Sequence, residues 1–130
     1  TFRKNTTITV DSDNKIVYIR FLGETFSSDL MKINKKLVDS HEPIKGFNWV
    51  FDLRRSKFLF ALDQIKSINT IFKDNSDLFQ NKKMAIIIVN PKQSNEVDTL
   101  VNYFYTNNID ITVKKVIDKI HAYSWIRGEK

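Results

Sequence analysis

The chain of 130 residues has no cysteine, so thiol nucleophiles, thiolate zinc sites and iron–sulfur ligation are excluded, and a reducing compartment is the matching environment. Glycine is nearly as scarce. Three glycines and two prolines leave no Gly/Ser linker, and they cannot build the dinucleotide or phosphate-binding loops that bring several backbone amides to a phosphate. No Gly-x-Ser-x-Gly elbow is present. The two histidines, His41 and His121, have no carboxylate at zinc-motif spacing, so neither a metal nor a cofactor is expected. Long apolar runs are missing too. Ala85 to Val89 falls far short of the ~20 residues that cross a bilayer, and no signal-peptide pattern opens the chain. The expectation is one cytoplasmic domain over residues 1–130.

What is present is an ordinary core-forming composition, 42% hydrophobic and 28% charged, with ten phenylalanines and a formal charge of +6. The excess permits weak association with nucleic acid or an anionic surface. Yet the basic doublets Lys35-Lys36, Arg54-Arg55, Lys82-Lys83 and Lys114-Lys115 lie in separate segments with acids between them, as on a solvated surface.

Thr6 to Val10 is β-branched, and Lys15 to Leu22 places Ile16 and Tyr18 on one side against Val17, Ile19 and Phe21 on the other. Asp11 to Asn14 supplies the turn of a β-hairpin. After Gly23, Phe26, Leu30, Ile33 and Leu37 recur at helical spacing to about Ser40, with Ser27 or Ser28 available as cap. His41-Glu42-Pro43 then breaks the helix. Phe47 to Leu53 reads as a strand covered on both faces, and Arg54 to Phe60 as a loop. Leu62, Ile65, Ile68 and Phe72 predict a second helix, with a further turn through Leu78 and Phe79. Met84 to Val89 is a short buried strand. Pro91 opens a helix carrying Val97, Leu100, Val101, Phe104 and Tyr105, with Ser94 as a second cap candidate. Ile109 to Val116 alternates as a strand, and Asp118 caps a last helix with Ala122, Trp125 and Ile126. The order ββαβαβαβα predicts a single α/β domain with a mixed, mainly parallel sheet.

The opening hairpin, the Gly23-Glu24 exit into a helix, the strands Val50 to Arg54 and Lys83 to Asn90, and the Trp125-Ile126-Arg127 ending together resemble the STAS-domain group, specifically its SpoIIAA-like branch. A looser likeness runs to the lipid-binding CRAL-TRIO fold. The resemblance covers Thr6 to Arg127 and implies a bacterial-type regulatory or binding module. It also implies a phosphorylatable serine at the start of the helix after the strand that matches Val50 to Leu53. This chain has Ala61 and Leu62 there, and Ser56 comes several residues early, so a kinase-controlled switch is not expected.

In open α/β sheets ligands collect beyond the carboxyl ends of parallel strands. That places a candidate ligand or partner site on Glu24, Thr25 and Ser28 after the hairpin; on Asp52, Arg54, Arg55, Ser56, Phe58 and Phe60; and on Lys92 and Ser94. Asp52 has two readings, a strand-end carboxylate paired to a neighbouring arginine or a base or Mg²⁺ ligand. No catalytic residue is assigned. The leading expectation is a noncatalytic, non-enzymatic binding module for a protein partner or an anionic ligand. A small carrier of a lipid or other apolar ligand is the alternative, and nucleic-acid binding ranks third for want of a recognition motif. The hairpin edge leaves dimer formation open.

Overall fold

A computed structural model describes residues 6–24, 27–57 and 62–128, apart from the side chains of 27 and 62–65. Five strands form one sheet in the order β1-β2-β3-β4-β5: β1 (Thr6–Asp11), β2 (Ile16–Glu24), β3 (Asn48–Lys57), β4 (Lys82–Ile87) and β5 (Ile111–Val116). The hairpin β1–β2 is antiparallel and every later pairing is parallel, including the decisive one, in which Trp49, Val50, Phe51 and Asp52 lie beside Met84, Ala85, Ile86 and Ile87.

Because the sheet order follows the chain order, each return crossover travels the same way, and right-handed connections place all of them on one face. There α1 (Ser27–Asp39), α3 (Leu62–Asp74) and α5 (Pro91–Thr106) pack Leu30, Ile33, Leu37, Ile68, Phe72, Val97, Leu100 and Phe104 against Val17, Ile19, Phe21, Trp49, Leu53 and Ile86. Trp49 is fully buried, stacked on Phe79 at 4.3 Å, and donates its indole N–H to the Leu78 carbonyl. Burying a side chain of that size stabilises by roughly 1.5–3 kcal/mol, and the hydrogen bond spares the indole a desolvation penalty. Among the described residues the opposite face has one helix. α6 (Lys119–Ile126) covers Ile16, Tyr18, Val50, Ala85, Ile87 and Val116 with Ala122, Tyr123 and Ile126.

Several local expectations are corrected. His41-Glu42-Pro43 does not simply end a helix but opens a one-turn helix, α2 (His41–Ile44), in whose first turn proline's missing N–H costs nothing. The further turn through Leu78 and Phe79 forms as expected, as α4 (Ser76–Phe79). Arg54 to Lys57, expected as loop, prolongs β3 by four residues. Ser27 and Ser28 lie within the first turn of α1 rather than before it. On α5 the cap is Asn90, which accepts from the Gln93 N–H at 2.8 Å, whereas the Ser94 hydroxyl accepts from Lys115. Asp118 caps α6 as expected. Val101 and Tyr105 share the helical spacing of α5 yet stay exposed, Tyr105 at 84%.

Candidate functional site

Alternation along β2 and β3 sends Tyr18, Arg20 and Asp52 to the α6 side of the sheet, where Tyr18 neighbours Val50 and Arg20 neighbours Asp52 across the parallel ladder. α6 covers only part of that side. Beyond it lies Asp52, 3% exposed. A buried carboxylate is stable only when hydrogen-bonded and paired, and Asp52 has both. The Arg54 guanidinium forks onto it, Nε to Oδ1 at 3.0 Å and Nη2 to Oδ2 at 2.8 Å; the Arg54 backbone N–H donates to Oδ1 and the Tyr18 hydroxyl to Oδ2 at 2.7 Å. Arg20 adds an ion pair at 3.8 Å.

Burial pulls the Asp52 carboxyl upward, but the donors from Arg54 and Tyr18 outweigh it and hold the group below the usual carboxylate range. Burial and the bond to Asp52 push the Tyr18 phenol up, and the same carboxylate raises the Arg54 guanidinium. The trio is locked as anion, cation and neutral donor across the ordinary pH range.

A β-bulge then widens the cationic surface. Arg20 pairs with Asp52 but Leu22 pairs with Arg55, so two steps on β2 oppose three on β3. An extra residue of this kind re-aims side chains, which is how the sequence neighbours Arg54 and Arg55 line one pocket together with Arg20 and Asp52. One residue beyond Leu22 on β2, Gly23 has φ +67°, a left-handed conformation that a Cβ would strain. The arginine pocket has a volume of about 340 Å³. It adjoins an open groove of about 610 Å³, sharing Arg20 and Arg54 with it, that runs between β1 and α6 past Thr7, Thr9, Lys119 and Tyr123 to the hairpin turn.

No family model matches the chain, and no curated protein matches it by sequence. Solved structures do match. An uncharacterized protein of the DUF3478 family with a SpoIIAA-like fold, from Shewanella loihica PV-4, superposes with a TM-score of 0.73 at 16% identity, over 97% of each chain. The anti-sigma factor antagonist SpoIIAA in its unphosphorylated form superposes with a TM-score of 0.62 at 12% identity, over 95% of this chain and 98% of its own. The chain has the SpoIIAA-like fold.

Within this SpoIIAA-like domain the expected site residues do not form one cluster. Asp52, Arg54 and Arg55 come together. Ser56, next on β3, is half-buried, with a buried hydroxyl that lacks a partner among the described residues. Glu24 is exposed at the end of β2 opposite Lys57, and Ser28 is exposed on α1. Lys92 is exposed on α5, and Ser94 joins Lys115 and Asp98 there. Thr25, Phe58 and Phe60, like Ala61 and Phe26, fall outside the described residues.

Beyond β4 the first turn of α5 is tied back to the middle of β3. Gln93, buried, donates to the Leu53 carbonyl at 2.7 Å and accepts from the Val89 N–H at 2.8 Å. Sequence reasoning missed Tyr18, Arg20 and the groove. The signal available was the alternation that puts Tyr18 and Arg20 on the Ile16 side of β2.

Both histidines of the SpoIIAA-like domain pair with aspartates, His41 Nε2 with Asp77 at 2.6 Å and His121 Nδ1 with Asp118 at 2.7 Å. Among the described residues no group of three or more metal-ligating side chains converges, and no helix is long and apolar enough to cross a membrane. The apolar cavity between the sheet and α1, α3 and α5 measures about 50 Å³, against the ~300 Å³ that a small-molecule pocket begins to need.

Proposed function

We propose that the protein is a noncatalytic binding or regulatory module that recognises an anionic group in the pocket formed by Arg20, Arg54 and Arg55. One observation carries the reading: three guanidiniums from two adjacent strands converge on one concave surface, and the single carboxylate among them is already fully engaged. Arg55 has no acid partner among the described residues, and Arg20 keeps about half of its side chain in solvent. Guanidinium forks suit carboxylate and phosphate geometry. The fold supports the regulatory half, since a solved structure that shares it is named an anti-sigma factor antagonist. Against catalysis stands the chemistry of Asp52, because a carboxylate with four donors and a lowered pKa is a poor general base near neutral pH.

The alternative reading as a carrier of an apolar ligand finds no support in a cavity of about 50 Å³. Calorimetric titration with citrate, inorganic phosphate and an oligoglutamate peptide at low salt tests the proposal. Binding of at least one, weakened several-fold in Arg55→Ser, is the expected result. The same affinity in Arg55→Ser, or no binding by any of the three, overturns the anionic site. Turnover of a metabolite by pure protein, abolished in Asp52→Asn, overturns the noncatalytic assignment.

A further inference from the structure

The arginine pocket does not stand alone, and the surface it continues into specifies the rest of the occupant. We infer that the pocket and the adjoining groove together form one site for a small phosphate monoester with a hydroxyl-rich body, the phosphate on the arginines and the body along β1 towards the hairpin turn. The inference rests on the anion-binding reading above and names its ligand class.

Charge selects the head group. Arg20, Arg54 and Arg55 against Asp52 leave two uncompensated positive charges in the pocket. A phosphate monoester carries roughly −1.5 to −2 at neutral pH, so it complements the pocket where a monocarboxylate would leave a charge unmatched. Arg54 is already held in one geometry by its fork onto Asp52, so it loses little side-chain freedom when a ligand arrives.

The groove selects the body. Its wall on β1 presents the hydroxyls of Thr7 and Thr9, which the antiparallel register sets beside Arg20 and Tyr18. The α6 wall presents Lys119, whose ammonium lies 5.4 Å from the Tyr18 ring and 5.3 Å from the Tyr123 ring. At the far end the hairpin turn contributes Asp11 and Asp13. Asp11 is held below the usual carboxylate range, first by the Asn14 side chain and also by Tyr123, so it accepts hydrogen bonds and repels anions. The site is therefore bipolar, cationic at the bulge and acceptor-rich at the turn. A molecule with one anionic end and hydroxyl donors along its length satisfies both ends, whereas a second anionic end would meet the aspartates. The groove's volume of about 610 Å³ lies within the range of small-molecule sites.

Titrations of the full chain with inorganic phosphate, glucose 6-phosphate, glucose and a phosphoserine tripeptide test this. Glucose 6-phosphate is expected to bind about tenfold tighter than inorganic phosphate, which is about 1.4 kcal/mol, with glucose alone below detection. In Arg55→Ser both phosphates weaken, and in the Thr7→Val/Thr9→Val double variant only the advantage of glucose 6-phosphate over inorganic phosphate is lost. Equal affinity for the two phosphates overturns the inference while leaving the anionic site standing. Tighter binding of the phosphopeptide than of glucose 6-phosphate overturns it in favour of a modified protein partner. Failure of citrate and oligoglutamate as well as both phosphates removes the anionic reading itself. A thermal-unfolding profile that matches the unaltered protein identifies variants whose lost binding is local.

Discussion

At the scale of single residues, Asp52 is the group on which the polar face depends. It is both buried and charged, and its partners come from two strands: Tyr18 and Arg20 on β2, Arg54 on β3. Replacing it by asparagine leaves Arg54 and Tyr18 facing an amide that can no longer accept both forks. We expect Asp52→Asn to cost about 1.5–3 kcal/mol at pH 7 in urea unfolding, the range for hydrogen bonds to charged groups. The pH dependence follows from the lowered carboxyl. Stability from a depressed acid is fully present above its unfolded value of about 3.9 and is lost as pH falls through the lower folded value. The gap in urea midpoint between wild type and Asp52→Asn should therefore hold steady from pH 7 to about pH 5 and shrink below about pH 4. A gap that widens on acidification would show a raised carboxyl instead. Asp11, Asp77 and Asp118 are also lowered, but they are common to both proteins and cancel in the difference.

At the scale of elements, α5 is fastened to the sheet at its first turn, where the Gln93 side chain joins the Leu53 carbonyl on β3 to the Val89 N–H beyond β4. Gln93→Ala leaves the buried Leu53 carbonyl and the part-buried Val89 N–H without their partner, and about 2 kcal/mol of destabilisation is expected by thermal or urea unfolding. Gln93→Glu, which keeps the acceptor for Val89 but loses the donor to Leu53, should also destabilise. An unchanged midpoint in Gln93→Ala would show that water replaces both bonds. Periodicity revealed most elements in advance, because Leu30, Ile33 and Leu37, or Met84 to Ile87, are buried by their own spacing. What it did not reveal depends on partners. Arg54 to Lys57 reads as loop by composition and becomes strand because β2 continues beside it to Glu24. The one-turn helix α2 is too short to have a period. The site shows the same division: Asp52, Arg54 and Arg55 were visible as a charged strand end, whereas Arg20 joins them only through a parallel register and a bulge. Local sequence specifies neither. The hydroxyl assigned to capping at Ser94 answers instead to Lys115 on β5, another contact across elements.

For the molecule as a whole, the two sides of the sheet are unequal but share a backbone. Ile16 and Val17, Trp49 and Val50, and Ala85 and Ile86 are neighbours along the chain that point into opposite cores. Neither core can come apart without disturbing the strands of the other, so one cooperative transition is expected. The two tryptophans make this measurable, since Trp49 reports the large core and Trp125 packs against the small one. In a Trp49→Phe variant, Trp125 fluorescence and far-ultraviolet circular dichroism should give the same urea midpoint. An earlier fluorescence midpoint would show that α6 detaches ahead of the rest.

The cover on the small core also has a consequence for biosynthesis. All five strands precede α6 in the chain, so a ribosome delivers Ile16, Val50, Ala85, Ile87 and Val116 before it delivers Ala122, Tyr123 and Ile126. During translation that stretch of sheet has no native lid, and a nascent sheet wet on an apolar face is a ready substrate for chaperones and for association with other unfinished copies.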